Sequence, residues 1–143
     1  LGHREERQQL AESQIAKLNF EPIFAQHFAQ STNNDPTRLP DAIHAMLKGI
    51  RFRGHAAVGY YTLGNLLWEN RDFQEAIDAH RFAACLEDRD ETFAESYFRA
   101  ARAMRQIKDA MKFLETRYQR TKGKFAAPAR ALFYSLSEQD RME

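Results

Sequence analysis

Apolar positions recur along this chain at helical rather than strand spacing. Ile43, Met46, Leu47 and Ile50 fall three or four apart, as do Phe73, Ala76, Ile77, His80, Ala83 and Ala84, and each set marks one face of a helix. A first helix is expected over residues 4–18, where Leu10, Ile15 and Leu18 form a thin stripe beneath a very polar start, as in a capping helix. A second begins between Asn19 and Pro22, carries Phe20, Ile23, Phe24 and Phe28 on one face, and stops by Ser31. Residues 31–36 are a cluster of turn formers, Pro40 suits the first turn of the third helix, and Gly49 and Gly54 are expected to end it. With only four prolines and six glycines, and no run of alternating Val, Ile and Thr, the pattern predicts an all-α fold.

A second, longer period lies over the helical one. Asp41-Ala42-Ile43, Glu75-Ala76-Ile77 and Asp109-Ala110-Met111 stand 34 residues apart, and Glu143 falls at the next acid position. A unit of that length accommodates two antiparallel helices and a turn but is too short to bury its own apolar face, so such units stack. The clearest unit is 57–90. Its first half is apolar around Tyr60, Leu63, Gly64 and Leu67, residues 69–72 turn the chain, and the stripe from Phe73 to Ala84 follows. Gly64 and Ala76 are small enough for the two helices to approach closely.

These residues resemble the tetratricopeptide repeat, or TPR. The first-helix pattern of that family is matched by Tyr60, Leu63, Gly64 and Leu67, and the second-helix pattern by Ala76, His80 and Ala83. Arg71-Asp72 stands at the inter-helix turn, and Asp88 replaces the usual closing proline. The resemblance implies a right-handed superhelical stack of antiparallel helix pairs, about 7–8 helices in one domain spanning 1–143. It divides into a capping helix (1–19), a degenerate repeat (20–56), the best repeat (57–90), a further repeat (91–124) and the first helix of a truncated one (125–143). In 91–124 the slot of Gly64 is taken by Phe98 and that of Leu67 by Ala101. Either large and small residues exchange places, or Ala101 fills the small slot and the turn is three residues shorter. The helix from Phe125 would run past Leu132, Phe133 and Leu136, with Asp140 and Glu143 at turn positions.

Composition narrows the reading. With 143 residues and 43% apolar content the chain can fill one elongated core. No apolar run approaches the roughly 20 residues needed to cross a bilayer. A lone Cys85 excludes an internal disulfide and fits a reducing cytoplasm. Leu1 and the stop at Glu143, within a repeat signature, suggest a segment trimmed from something longer. Net charge is +1, yet residues 69–95 hold nine acids against three arginines, and 96–130 hold ten Lys and Arg against Asp109 and Glu115. The molecule should be electrically bipolar along its axis, unless the charges are simply two solvated helix faces.

Chemistry is sparse. His3, His27, His44, His55 and His80 show no HExxH spacing, Cys85 has no second cysteine, and no metal or cofactor site is expected. His80 and Cys85 are five apart and so off one helical face, which makes no dyad. Gly49, Gly54, Gly59 and Gly64 recur every five residues, but His55 follows Gly54 where a phosphate loop needs Lys and Ser or Thr. Catalysis within the chain is not expected. His80, in a packing slot, is expected to be core or semi-buried.

In TPR arrays the first helices of successive repeats line a concave groove. By that resemblance Tyr61, Asn65 and Trp68 should face it, with Trp68 and Tyr61 as an aromatic platform or Trp68 sealing the turn. Arg99 and Arg102 would grip carboxylates, with Arg105 continuing their row, and Phe133 and Leu136 would add apolar contacts from the last helix unless downstream sequence covers them. The carboxylate clamp of some TPR proteins lacks its lysines here, since Tyr61 and Phe98 or Glu95 take that site. The expected function is therefore a protein–protein interaction scaffold that holds a peptide or helix of acidic character, with self-pairing through the C-terminal edge as a further possibility. Two alternatives stand beside it. One is nucleic-acid binding through the basic segment 99–130, where Lys112, Arg117, Arg120, Lys122 and Lys124 interleave with Phe113, Tyr118 and Phe125. The other is a docking or oligomerisation module of an enzyme whose catalytic part lies elsewhere.

Overall fold

The computed structural model of the protein describes residues 5–7, 35–52, 56–122, 124 and 126–140. Residues 5–7 are helical, but the remainder of the expected capping helix and the first helix of the 20–56 unit lie outside the described residues, as do Gly54, Phe125 and Glu143.

A single 3-10 turn, Pro36–Arg38, leads into helix α1, Leu39–Phe52. The Asp35 carboxylate accepts the Thr37 amide at 3.1 Å, which steadies this entry, and Pro40 occupies the first turn where no amide partner is needed. Leu39, Ala42 and Met46 form the buried face of α1, with Ile43 and Ile50 packed beside them. Two expectations fail here. Leu47 is 46% exposed and stands off the stripe. Gly49 lies inside the helix instead of ending it, because the i→i−4 ladder continues to Phe52 with Ile50 still held by the core.

Five more helices follow: α2 (Ala57–Glu69), α3 (Phe73–Leu86), α4 (Glu91–Ala103), α5 (Ile107–Thr121) and α6 (Ala127–Asp140). The described residues contain no strand. Helices α2 with α3, and α4 with α5, form antiparallel pairs, α3 packs on α4, and α6 lies against both α4 and α5. Asp90 caps α4 by accepting the Thr92 amide at 2.9 Å. One core cluster joins α1 to α2 and α3 through Met46, Leu63, Leu66 and Ala79. A second, centred on Tyr97, Phe98, Ala101, Met111 and Leu114, extends to Ala131 of α6.

The two pairs turn in the same way. At the end of α2, Asp72 N donates to Leu67 O (2.9 Å) and Arg71 N to Trp68 O (3.1 Å). Thirty-four residues later Gln106 N donates to Ala101 O (2.7 Å) and Arg105 N to Arg102 O (3.0 Å). Both are Schellman closures, and each holds an arginine rather than glycine in the left-handed region, Arg71 at φ 67° and Arg105 at φ 59°. Equal turns exclude a connection three residues shorter. Phe98 therefore occupies the slot of Gly64, and Ala101 that of Leu67.

The exchange goes further than that pair of slots. Tyr60, Leu63, Gly64 and Leu67 of α2 correspond to Ala94, Tyr97, Phe98 and Ala101 of α4, so bulk moves from the ends of the packing face to its centre. All four α4 residues are buried, at 3% exposure or less. Where Gly64 leaves room, the His80 ring enters: a Cβ at Gly64 would meet three imidazole atoms at 2.8–2.9 Å. The backbones of α2 and α3 consequently run closer over their length than those of α4 and α5.

Candidate functional site

Tyr61, Asn65 and Trp68 are four and three residues apart on α2 and so share a face. Asn65 is exposed, while Tyr61 and Trp68 are half-buried. The Tyr61 ring stands edge-on to His80 (centroids 5.7 Å) and to Phe93 of α4 (5.6 Å). Trp68 meets Phe73, the first residue of α3, edge-on at 4.8 Å. The indole thus closes the α2–α3 turn while keeping part of its surface in solvent.

The arginines of α4 are engaged by α6. Arg99 Nε donates to the Tyr134 hydroxyl at 3.2 Å, its guanidinium stands 5.5 Å from the Tyr134 ring, and Glu95 lies 3.7 Å away one turn back. The Tyr134 hydrogen bond holds the Arg99 guanidinium above its ordinary pKa. Arg102 Nη1 donates to Glu138 at 2.7 Å. The two arginines that the sequence led one to expect on external carboxylates thus already hold an acid and a phenol of their own chain. Arg105 does not continue the row. It occupies the left-handed turn position, where the helix has ended. Phe133 of α6 projects with 73% of its surface exposed, and Leu136 with 43%.

The basic segment is partly structural. Arg117 has a side chain only 1% exposed. Its Nε donates to Asp88 Oδ1 (3.1 Å) and its Nη2 to the Asp88 carbonyl (2.7 Å), while Arg120 Nη2 reaches Asp88 Oδ2 at 2.9 Å. Burial lowers the Arg117 pKa, and Asp88 opposes that shift. Asp88, which stands where the repeat has its closing proline, therefore fastens the α3–α4 loop to α5. Sequence reasoning missed this contact, because the partners are 29 residues apart and nothing in a basic run marks which arginine turns inward. Phe113 is likewise engaged, edge-on to Tyr97 at 5.2 Å.

His80 is 4% exposed, its Nδ1 has no hydrogen-bond partner, and burial lowers its pKa from 6.5 to about 4, so the ring is neutral at pH 7. Cys85 is exposed, on the other side of α3 from that buried ring. Among the described residues no group of three or more His, Cys, Asp or Glu could hold a metal ion, and no helix is long and apolar enough to cross a membrane.

No protein-family model matches the sequence, and no curated protein matches it. Solved structures do. The one described as "Crystal structure of MamA" has a TM-score of 0.63 at 15% identity, covering 99% of this chain and 91% of that one. That described as "MamA MSR-1 C2" has a TM-score of 0.58 at 17% identity, covering 82% of this chain and 67% of the other. Both neighbours are stacks of helix pairs, and identity this low speaks for architecture alone. The 34-residue period, the paired Schellman turns and these superpositions agree: the chain has the fold of a TPR-like helical solenoid.

Proposed function

We propose that the protein is an interaction scaffold whose first helices α2, α4 and α6 hold a peptide or helix of a partner protein. The observation that carries this reading is the character of that row. Asn65, Arg99 and Phe133 stand exposed on three successive first helices, flanked by the half-buried Tyr61, Trp68 and Arg102. Such a row combines an amide, a cation already ordered over an aromatic ring and an apolar anchor, the mixture that dominates binding energy at interfaces. The Arg99 and Arg102 row favours a partner with acidic side chains, which would compete with Glu95 and Glu138 for the guanidinium groups.

Affinity capture from the source cell with the wild-type chain and with Asn65→Ala/Phe133→Ser tests the reading. Both positions are exposed, so the fold should persist, and proteins held in the groove should disappear from the variant's eluate. An unchanged set of captured proteins would sink the groove assignment.

Self-association through α6 is a second reading, favoured by the exposure of Phe133 and Leu136 on one helix. Light scattering over a concentration series should then show a mass above that of one chain, lowered by Phe133→Ser.

A further inference from the structure

The second helices α3 and α5 take no part in the groove, yet they border a cleft of about 350 Å³ of their own. Its wall carries Arg81 from α3 and, from one face of α5, Lys112, Phe113, Thr116, Arg117 and Arg120, with Asp109 at the same face one turn before Lys112 and Phe113. Three observations give this cleft a direction. Counted with Asp88, which serves both Arg117 and Arg120, the four cations meet two acids, so two positive charges stay unbalanced. Arg81 and Lys112 form no ion pair among the described residues, and the Arg81 guanidinium is only loosely held, 6.0 Å from the Phe113 ring centre. Finally Arg117, almost wholly buried, has an Nη1 that no acceptor meets.

That Nη1 is itself closed to solvent, so an anion in the cleft offsets the buried charge through its field rather than by a hydrogen bond to this atom. The Thr116 hydroxyl cannot help, because it donates to the Lys112 carbonyl at 2.8 Å. The anion must therefore be gathered by cationic N–H groups arriving from two helices. A lone carboxylate brings one negative charge. A phosphate monoester brings about two at neutral pH, with three strong acceptor oxygens spread tetrahedrally. We propose that the α3–α5 cleft binds a phosphate dianion, free or as a monoester, with Arg81 and Lys112 as the adjustable donors and the fixed charge of the buried Arg117 behind them.

The test is a titration of the 143-residue chain, followed by ¹H–¹⁵N NMR at pH 7 and constant ionic strength, with inorganic phosphate, O-phosphoserine, acetate and a short single-stranded RNA. The expected result is saturable shifts at residues 81, 112–117 and 120 for both phosphate compounds and none for acetate. Arg81→Gln and Lys112→Gln, each exposed and so tolerated by the fold, should weaken binding roughly tenfold, the effect of one charge-assisted hydrogen bond. Lys122→Gln, outside the cleft, should leave it unchanged. Tighter binding of phosphoserine than of phosphate identifies a phosphorylated side chain as the source, and equal binding identifies the free ion. Shifts that spread over the surface without saturating, equal responses to acetate and phosphate, or RNA binding more tightly than either phosphate compound at these residues would each overturn the proposal.

Discussion

Helices α2 and α3 and helices α4 and α5 are built on one period and closed by one turn, yet they fill the space between them in opposite ways. In the first pair Gly64 admits the His80 ring, and bulk sits at the ends in Tyr60 and Leu67. In the second, Phe98 takes the central slot within the same cluster as Leu114, and the ends shrink to Ala94 and Ala101. The turn hydrogen bonds are unaffected, because they depend on backbone at the helix end and not on what lies between the helices. A repeat is thus conserved in its connection while its interior is renegotiated, so long as total volume is kept.

The harshest way to break this comparison is Phe98→Ala. Phe98 is fully buried, and its truncation should cost about 3–5 kcal/mol in urea unfolding. A loss below about 1 kcal/mol would mean that α4 can close on α5 as α2 does on α3, since the cavity contribution would then be missing.

His80 against Leu114 separates the pairs by pH. The folded imidazole has its pKa lowered to about 4 while the unfolded one stays near 6.5, so on acidification the unfolded chain takes up a proton that the folded chain refuses. Stability should be level above pH 6.5 and fall through the window from 6.5 to 4, by about 3 kcal/mol in all for this one group. His80→Leu should remove that component of the pH dependence, as read from thermal or urea midpoints. A retained slope of the same size would show that the imidazole is not its source.

Gly64→Ala should cost about 1–3 kcal/mol, because the added methyl meets the imidazole at 2.8 Å and either the ring or α2 must yield. The cost should shrink markedly in a His80→Ala background. Additive losses in that double-mutant cycle would place the clash elsewhere.

The smallest effect tests what the pairs share. Arg71→Gly and Arg105→Gly should each stabilise by about 1 kcal/mol, because both relieve an L-residue held at positive φ. Unequal gains would mean that the two turns differ in strain despite their common hydrogen bonds.

Much of the architecture was written in the residues. The helical spacing of Ala76, Ile77, His80 and Ala83 fixed a face, Ala42, Ala76 and Ala110 at 34-residue steps fixed the repeat, and all three alanines are fully buried. Local chemistry suffices for such features: a helix face is a matter of period, and a repeat is a matter of period squared against itself. Packing slots were also legible, which is why His80 could be expected inside. Tyr61, Asn65, Trp68, Arg99, Arg102 and Phe133 could be named from the sequence as positions of the proposed groove, but not the contacts that Arg99 and Arg102 already make within the chain.

What only the tertiary structure decided are the matters that depend on partners distant in sequence. Whether Phe98 or Ala101 took the small slot required the turn hydrogen bonds. That Arg102 faces Glu138, that Arg99 lies on Tyr134 and that Arg117 is buried on Asp88 required helices 29 to 36 residues apart to be brought together. A guanidinium in a sequence carries the same charge everywhere. Only the fold determines which one is desolvated and held, and which is left to meet another molecule.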